Sequence, residues 1–402
     1  MADSVPPQVR ALNAQSATIQ GRSMIVVEDP LGLSPQPALL PPPAYFVMTL
    51  LDGVASLSQI RAVCQAQFGQ AIQMSDIEEV IRQLDEHFFL ESPRFQEALT
   101  KARNEFARID HRPASQAGVS YPAEPEEARK TLAQMMSLAE SAPAGELIGL
   151  IAPHIDFARG GRVYAAAYQV LPRQKGRLYV VLGTAHVVTE ERYVICDKDF
   201  LTPLGRARTD AKAAGELARL AGGRFTRDIL VHRREHSLEF QVLCLQHQID
   251  PQVRILPILC GGLVEASHGG PSPAADPAAQ EFLNALAEII RREEAICVVG
   301  ADLAHVGPSF GGDEPVSEAD LSRLREEDLA LLQHAAGIDP EGFYDLIAGE
   351  RDRRNVCGLA PIYAALRVLP PSQGRILDYG QWRDDLGRGS VTFAALAFSR
   401  KG

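Results

Sequence analysis

Two segments of this chain share one pattern: a run of apolar residues, a tight turn and then a histidine. Residues 146–154 end at His154 and residues 177–186 end at His186, and residues 162–171 between them have the composition of a helix. A strand, a helix and a second strand in this order predict a βαβ unit with parallel strands. Parallel strands end at the same edge of a sheet, where open α/β folds place their sites. We therefore predict that His154 and His186 act together.

The length and composition indicate a folded chain with more than one domain. A chain of 402 residues is longer than a single hydrophobic core usually supports. Its formal net charge of −11 argues against a nucleic-acid or anionic membrane partner. The six cysteines form no CxxC pair, and the sequence has neither a signal-peptide pattern nor an uninterrupted apolar run of about 18 residues. We expect a cytoplasmic protein that binds neither nucleic acid nor membranes.

The first quarter of the chain has an organisation of its own. Residues 1–20, polar and rich in Pro, Ala and Gln, are expected to form a flexible tail. Residues 21–95 combine a strand at 23–28 with helical patterns at 41–51, 56–68 and 75–87, closed by an edge strand at 88–90. This order resembles a small α+β winged-helix-like module, similar to PqqD-type peptide-recognition domains. The third helical pattern carries five acidic residues and one arginine, which favours a protein or peptide partner over DNA.

The rest of the chain has the pattern of a larger α/β domain. We interpret residues 96–111 as a linker and residues 112–402 as this second domain. Predicted strands at 193–196, 254–260, 295–300, 375–379 and 390–398 alternate with helical patterns. Alternation of this kind predicts helices on both faces of one sheet, which is a three-layer α/β/α architecture.

Further polar residues cluster next to apolar elements of this domain. Asp302 and His305 follow the strand at 295–300, where a turn or helix would let them face the same way. His236 lies in an acidic and polar cluster at 235–239, before a helical pattern. Cys357 begins another helix, where the helix dipole favours a thiolate, so it is the cysteine best suited to bind a metal or attack an electrophile.

Taken in order, these segments resemble the MEMO family. The resemblance is carried by residues 152–154, 182–186, 235–239, 300–305 and 357–358, by a leading segment at 118–122 and by a final strand at 390–393. Bacterial members of the family are named AmmeMemoRadiSam system protein B, and the family shares its fold with class III extradiol dioxygenases. The resemblance implies that fold for residues 112–402. It also implies AMMECR-type and radical-SAM proteins as partners.

The resemblance further implies a mononuclear metal site formed by His154, His186 and Cys357. Asp302, His305 and His236 would then lie beside the metal as acid–base or pocket residues. Iron (Fe²⁺) is the expected metal. Copper and zinc are alternatives, because a thiolate in place of a carboxylate makes the ligand set softer. The expected function is that of a non-heme redox protein, dioxygenase-like, acting on a small-molecule or peptide substrate.

Two other functions stay open at this point. The cleft of a non-catalytic adaptor would bind a peptide or a metal in transit, and a metal-independent hydrolase or transferase would use Cys357 with a histidine.

Asp156, two positions after His154, is a candidate acceptor that orients that imidazole. The arginine-rich run at 351–354 is expected on a solvated face, with Arg353 or Arg354 able to attract an anionic substrate.

Overall fold

The computed structural model describes residues 4–34, 36–140, 146–173, 175–222, 225 and 228–400. The chain forms two compact units, Met1–Ile109 and Asp110–Gly402. Within the described ranges, no helix is both long enough and apolar enough to span a bilayer.

The N-terminal unit is a three-stranded antiparallel sheet followed by four helices. Its elements are β1 (Asn13–Ile19), β2 (Arg22–Glu28), β3 (Ala38–Leu40), α1 (Pro42–Thr49), α2 (Leu57–Phe68), α3 (Met74–Glu86) and α4 (Pro93–Arg108). The prediction of a flexible tail was wrong over β1, which pairs with β2 along its whole length. Gln20 and Gly21 join the two strands, and both have positive φ, the backbone that a two-residue hairpin turn requires.

The predicted linker is also an ordered part of this unit. Residues 96–108 belong to α4, which buries Phe95, Ala102 and Phe106 on one face. The expected strand at 88–90 is reduced to a single bridge between Val9 and Leu90. In the described residues the antiparallel strands precede the helices, and the winged-helix comparison stays a prediction.

The second unit is built on one large mixed sheet. Its strands are β4 (His111–Arg112), β5 (Leu147–Ala152), β6 (Leu178–Thr184), β7 (Tyr193–Ile195), β8 (Asp199–Thr202), β9 (Gly205–Thr209), β10 (Arg254–Cys260), β11 (Ile296–Gly300), β12 (Asp302–Val306), β13 (Ser372–Arg383) and β14 (Ser390–Arg400). Its helices are α5 (Pro125–Met136), α6 (Phe157–Tyr168), α7 (Ala211–Leu220), α8 (His236–Gln248), α9 (Pro277–Arg292), α10 (Glu318–Ala336), α11 (Pro340–Gly349) and α12 (Leu359–Val368).

The centre of the sheet contains the predicted βαβ unit. Strands β5, β11, β6 and β10 are parallel neighbours in that order, so β11 lies between the two strands of the unit. Strand β14 pairs antiparallel with β5 and continues the sheet to β12 and β13. Consequently the segments that follow β5, β11 and β6 meet at one edge of the sheet.

Helices cover both faces of this sheet and confirm the three-layer prediction. One apolar core contains residues of α7, α9, α10, α11 and α12, and the other contains residues of α5, α6 and α8. Successive residues of β6 alternate between them: Val180 and Leu182 face the first core, Tyr179 and Val181 the second. A strand buried on both faces explains why this segment is a continuous apolar run.

Candidate metal centre

The first predicted histidine lies at the expected edge of the sheet, just beyond β5. The His154 backbone N–H donates to Asp302 Oδ1 at 2.9 Å, and its Nδ1 donates to the Gly300 carbonyl at 3.0 Å. A carbonyl oxygen can only accept, so the ring proton is on Nδ1 and Nε2 carries a free lone pair. Burial lowers the pKa of His154, which favours the neutral, ligand-competent form.

The second histidine, His186, is held by a buried carboxylate. Glu235 accepts from the His186 backbone N–H at 2.8 Å and from its Nδ1 at 2.9 Å. Burial opposes a charged imidazole here, but Glu235 outweighs it and raises the pKa of His186. The same carboxylate accepts from Ser237 N at 3.0 Å and so caps helix α8. Glu235 therefore fixes both the His186 ring and the start of the helix that carries His236.

Three imidazoles converge at this edge. His236 begins α8, and its Nδ1 lies 3.4 Å from the Glu235 carboxylate. The ring centroids of His154, His186 and His236 are 4.6–5.3 Å apart, and one nitrogen of each lies within 4.8 Å of the other two. Burial lowers the pKa of His236 to about 3. A neutral histidine whose other nitrogen is bound to an acceptor is the arrangement found at protein metal sites, so the donors fit a transition-metal ion.

Asp302 and His305 lie on a bulged strand, where a turn or helix was expected. Strand β12 pairs with β14, and its register shifts between Asp302, opposite Phe393, and His305, opposite Val391. One extra residue in a strand lets positions three apart face the same side. Asp302 Oδ2 lies 3.6 Å from His154 Nε2, and burial lowers the pKa of His305 to about 4. Both side chains therefore lie beside the imidazoles, on a strand, and their role stays a prediction.

Cys357 lies against the first histidine. Its Sγ is 3.3 Å from His154 Nε2 and 3.7 Å from the Asp302 carbonyl oxygen. Helix α12 begins two residues later, but burial and the neighbouring Asp302 charge raise the pKa of the thiol. A cation bound beside the sulfur would act in the opposite direction and favour the thiolate.

An open cleft of about 400 Å³ leads to the imidazoles. It is lined by Gln116, Ser120, His154, Ile155, Asp156, Arg159, His186, His236, Phe240, Asp302, His305, Phe310 and Val391. Asp156 lines this cleft but caps α6 and pairs with Arg159, so its predicted role as acceptor for His154 was wrong. Proximity in sequence suggested that role, whereas the acceptor is the carbonyl of Gly300, the last residue of the neighbouring strand β11.

A buried ion pair ties the leading segment of the domain to the site. Arg112 and Glu239 are both fully buried and paired, and Arg112 also donates to the Glu235 carbonyl at 2.6 Å. Glu239 accepts in addition from Gln116 N at 2.9 Å and from the Tyr121 hydroxyl. From the sequence, Glu239 was placed only within the polar cluster at 235–239, and this network was not detected. The pair places Gln116 at the cleft and supports the turn that carries Glu235.

The fold and site together define an α/β protein with an imidazole cluster at the carboxyl edge of a mixed sheet. A family model described as "Memo-like protein" matches residues 112–395, and the chain belongs to that family. A "MEMO1 family protein" of Aquifex aeolicus is 25% identical over 377 residues, covering 93% of this chain and 95% of the relative. A relative of the same description from Thermus thermophilus is 27% identical over 324 residues, covering 80% and 92%. One from Methanosarcina barkeri is 28% identical over 268 residues, covering 65% and 89%. The resemblance stated from the sequence is thereby confirmed.

Proposed function

We propose that this protein binds a single transition-metal ion at the sheet edge and serves there as a non-heme redox protein. The observation that carries the proposal is the convergence of three imidazoles, two of which, His154 and His186, have their Nδ1 atoms bonded to built-in acceptors, the Gly300 carbonyl and the Glu235 carboxylate. Acceptors of this kind set the tautomer and direct the other nitrogen toward the metal. Iron is the proposed metal, with copper or zinc as alternatives, because imidazole and thiolate donors suit all three.

His154 and His186 are the proposed ligands in every version of this site. For the third ligand we propose Cys357, supported by its sulfur lying 3.3 Å from His154 Nε2. Metal–ligand bonds of about 2.3 Å to sulfur and 2.0–2.1 Å to nitrogen place two ligands of one ion roughly this far apart. His236 is the competing third ligand, since it belongs to the imidazole cluster.

The remaining polar residues give the site its acid–base character. When bound, a redox-active metal supplies electron transfer and binding positions for a substrate. Asp302 holds the His154 backbone and lies beside its ring, and His305 presents a neutral imidazole to the same cleft. We propose these two residues as the groups that hold or accept a proton from a bound small-molecule or peptide substrate. AMMECR-type and radical-SAM partners rest on the resemblance alone and stay a prediction.

The proposal is tested by metal content after anaerobic purification, measured by elemental analysis. We expect about one ion per chain in the unaltered protein and a loss of most of it in His186→Ala. His268→Gln is the matched control, because His268 is exposed on the same unit and should leave the metal in place. Retention of metal by His186→Ala would reject the site. Cys357→Ser and His236→Gln then identify the third ligand, since only the variant that removes it should release the metal.

One observation favours a second candidate, a metal-independent thiol enzyme. The contact between Cys357 Sγ and His154 Nε2 is the one a nucleophile and its base would make. Against it, burial beside Asp302 raises the pKa of the thiol, and the His154 Nδ1 partner is a neutral carbonyl. If a chelator leaves activity on a substrate intact while iodoacetamide abolishes it, the thiol candidate replaces the metal proposal.

A further inference from the structure

The loop that leads to Cys357 has an unusual backbone. Arg351, Asp352 and Asn355 have φ values of 55°, 49° and 49°, so three side-chain-bearing residues within five positions adopt the left-handed region. L-residues rarely do so, and each such residue raises the free energy of the folded loop. A loop of this shape persists only where surrounding contacts hold it.

Those contacts come from a fully buried ion pair. Arg354 Nη1 donates to Asp328 Oδ1 of α10 at 2.6 Å, and Arg354 Nε donates to Glu350 Oε1 at 2.6 Å. The second Asp328 oxygen accepts from the Tyr379 hydroxyl of β13 at 2.8 Å. The sequence predicted a solvated face for Arg354, and this was wrong because its charge is neutralised inside the domain.

The same loop is bonded to the candidate metal centre. The His305 backbone N–H donates to the Arg354 carbonyl at 2.7 Å, and Asn355 Nδ2 donates to the His305 carbonyl at 3.1 Å. At the other end of the loop, the Thr184 hydroxyl donates to the Cys357 carbonyl at 3.0 Å. The loop thus connects the buried ion pair to two of the predicted site residues, His305 and Cys357.

We propose that Arg354, Asp328 and Tyr379 are positioning residues, which hold the loop in its left-handed conformation and thereby fix Cys357 and His305. One guanidinium nitrogen, Arg354 Nη2, is buried without a hydrogen-bond partner among the described residues. A buried ion pair with an unbonded nitrogen contributes little to stability. The presence of this pair is better explained by its effect on the conformation of the loop. The role of the loop rests on the proposed function, but its conformation is testable without any metal.

The test measures the rate at which iodoacetamide alkylates individual cysteines of the metal-free full chain, resolved by peptide mass spectrometry. All six cysteines lie in the described ranges, and Cys357 is the partly exposed one, whereas the other five are fully buried. We expect Arg354→Met and Tyr379→Phe to raise the Cys357 rate, on the order of tenfold for the former and less for the latter, because the loop opens locally. Buried Cys297 reports global unfolding in the same sample and should not change.

Ile289→Val is the control for general destabilisation, because Ile289 is buried in α9 and has no part in the loop. An unchanged Cys357 rate in both variants would overturn the proposal, as would a rate that rises only together with that of Cys297. If Arg354→Met fails to fold, Tyr379→Phe, which removes a single hydroxyl, decides the question. Since the readout needs no metal, absence of bound metal in the unaltered protein would refute the proposed function and leave this inference intact.

Discussion

Replacing Glu235 by glutamine is the most direct test of how the site is organised. The carboxylate accepts from three donors, the His186 backbone N–H, His186 Nδ1 and Ser237 N. A glutamine of the same shape has one oxygen and one NH₂ group, so it cannot accept from both sides. If its oxygen faces His186 Nδ1, its NH₂ group faces the His186 backbone N–H, which is also a donor. A buried donor without an acceptor costs about 1–3 kcal/mol of folding free energy.

The other orientation of the glutamine has a different consequence. With its oxygen toward the backbone N–H, its NH₂ group faces His186 Nδ1, which must then accept and move the ring proton to Nε2. That nitrogen is the proposed ligand atom, so metal binding would require the less favourable tautomer. Loss of an orienting acceptor lowers metal affinity by roughly 10–100-fold, which is about 1.4–2.8 kcal/mol. The first orientation therefore lowers the stability of the fold, and the second weakens the metal site.

The assay is a competition titration of metal against a chromophoric chelator, combined with urea unfolding of the metal-free protein. Glu239→Gln is the matched control, because Glu239 is also buried and lies in the first turn of α8, just after Glu235, but pairs with Arg112 instead of with a site histidine. We expect it to lower the free energy of unfolding while leaving metal affinity within about threefold of the unaltered value. Unaltered metal affinity together with an unaltered free energy of unfolding in Glu235→Gln would refute the assignment of Glu235 as the orienting group.

Two further predictions concern the support of the sheet edge. In Gly300→Ala the new Cβ would meet the Ser237 carbonyl and the Gln241 side chain. We therefore expect a loss of about 1–3 kcal/mol in the free energy of unfolding, measured in urea, together with weaker metal binding. An unchanged unfolding midpoint would contradict the close packing. Burial lowers the pKa of His232 to about 4, and its Nε2 donates to the Val194 carbonyl at 2.9 Å. Because this folded-state pKa lies below the unfolded value, the stability from neutral His232 is present above about pH 6.5 and falls toward pH 4, by at most about 3 kcal/mol. His232→Gln should therefore show a shallower acid dependence of the unfolding free energy, and an identical slope would contradict the assignment.

The sequence predicted the central sheet because its signal is local. Strand β10 has the predicted bounds, and β5 and β6 follow directly from continuous apolar runs. The positions of His154 and His186 follow from the same signal, since both residues come just after a buried strand. The hairpin of β1 and β2 was missed because β1 is mostly exposed and shows no apolar alternation. The available signal was the Gln20-Gly21 turn.

The residues that orient the site could not be predicted in the same way. Glu235 has a sufficient local explanation as a helix cap, and Arg354 has one as part of a charged surface run, so neither pattern required a distant partner. The partners are His186, 49 positions before Glu235, and Asp328, 26 positions before Arg354. Buried charges are stable only when paired, and a pair of this kind becomes visible only once the fold brings its members together. Strand ends therefore indicate where the chemistry of such a protein lies, whereas the geometry of that chemistry depends on charged residues that a single sequence assigns to the surface.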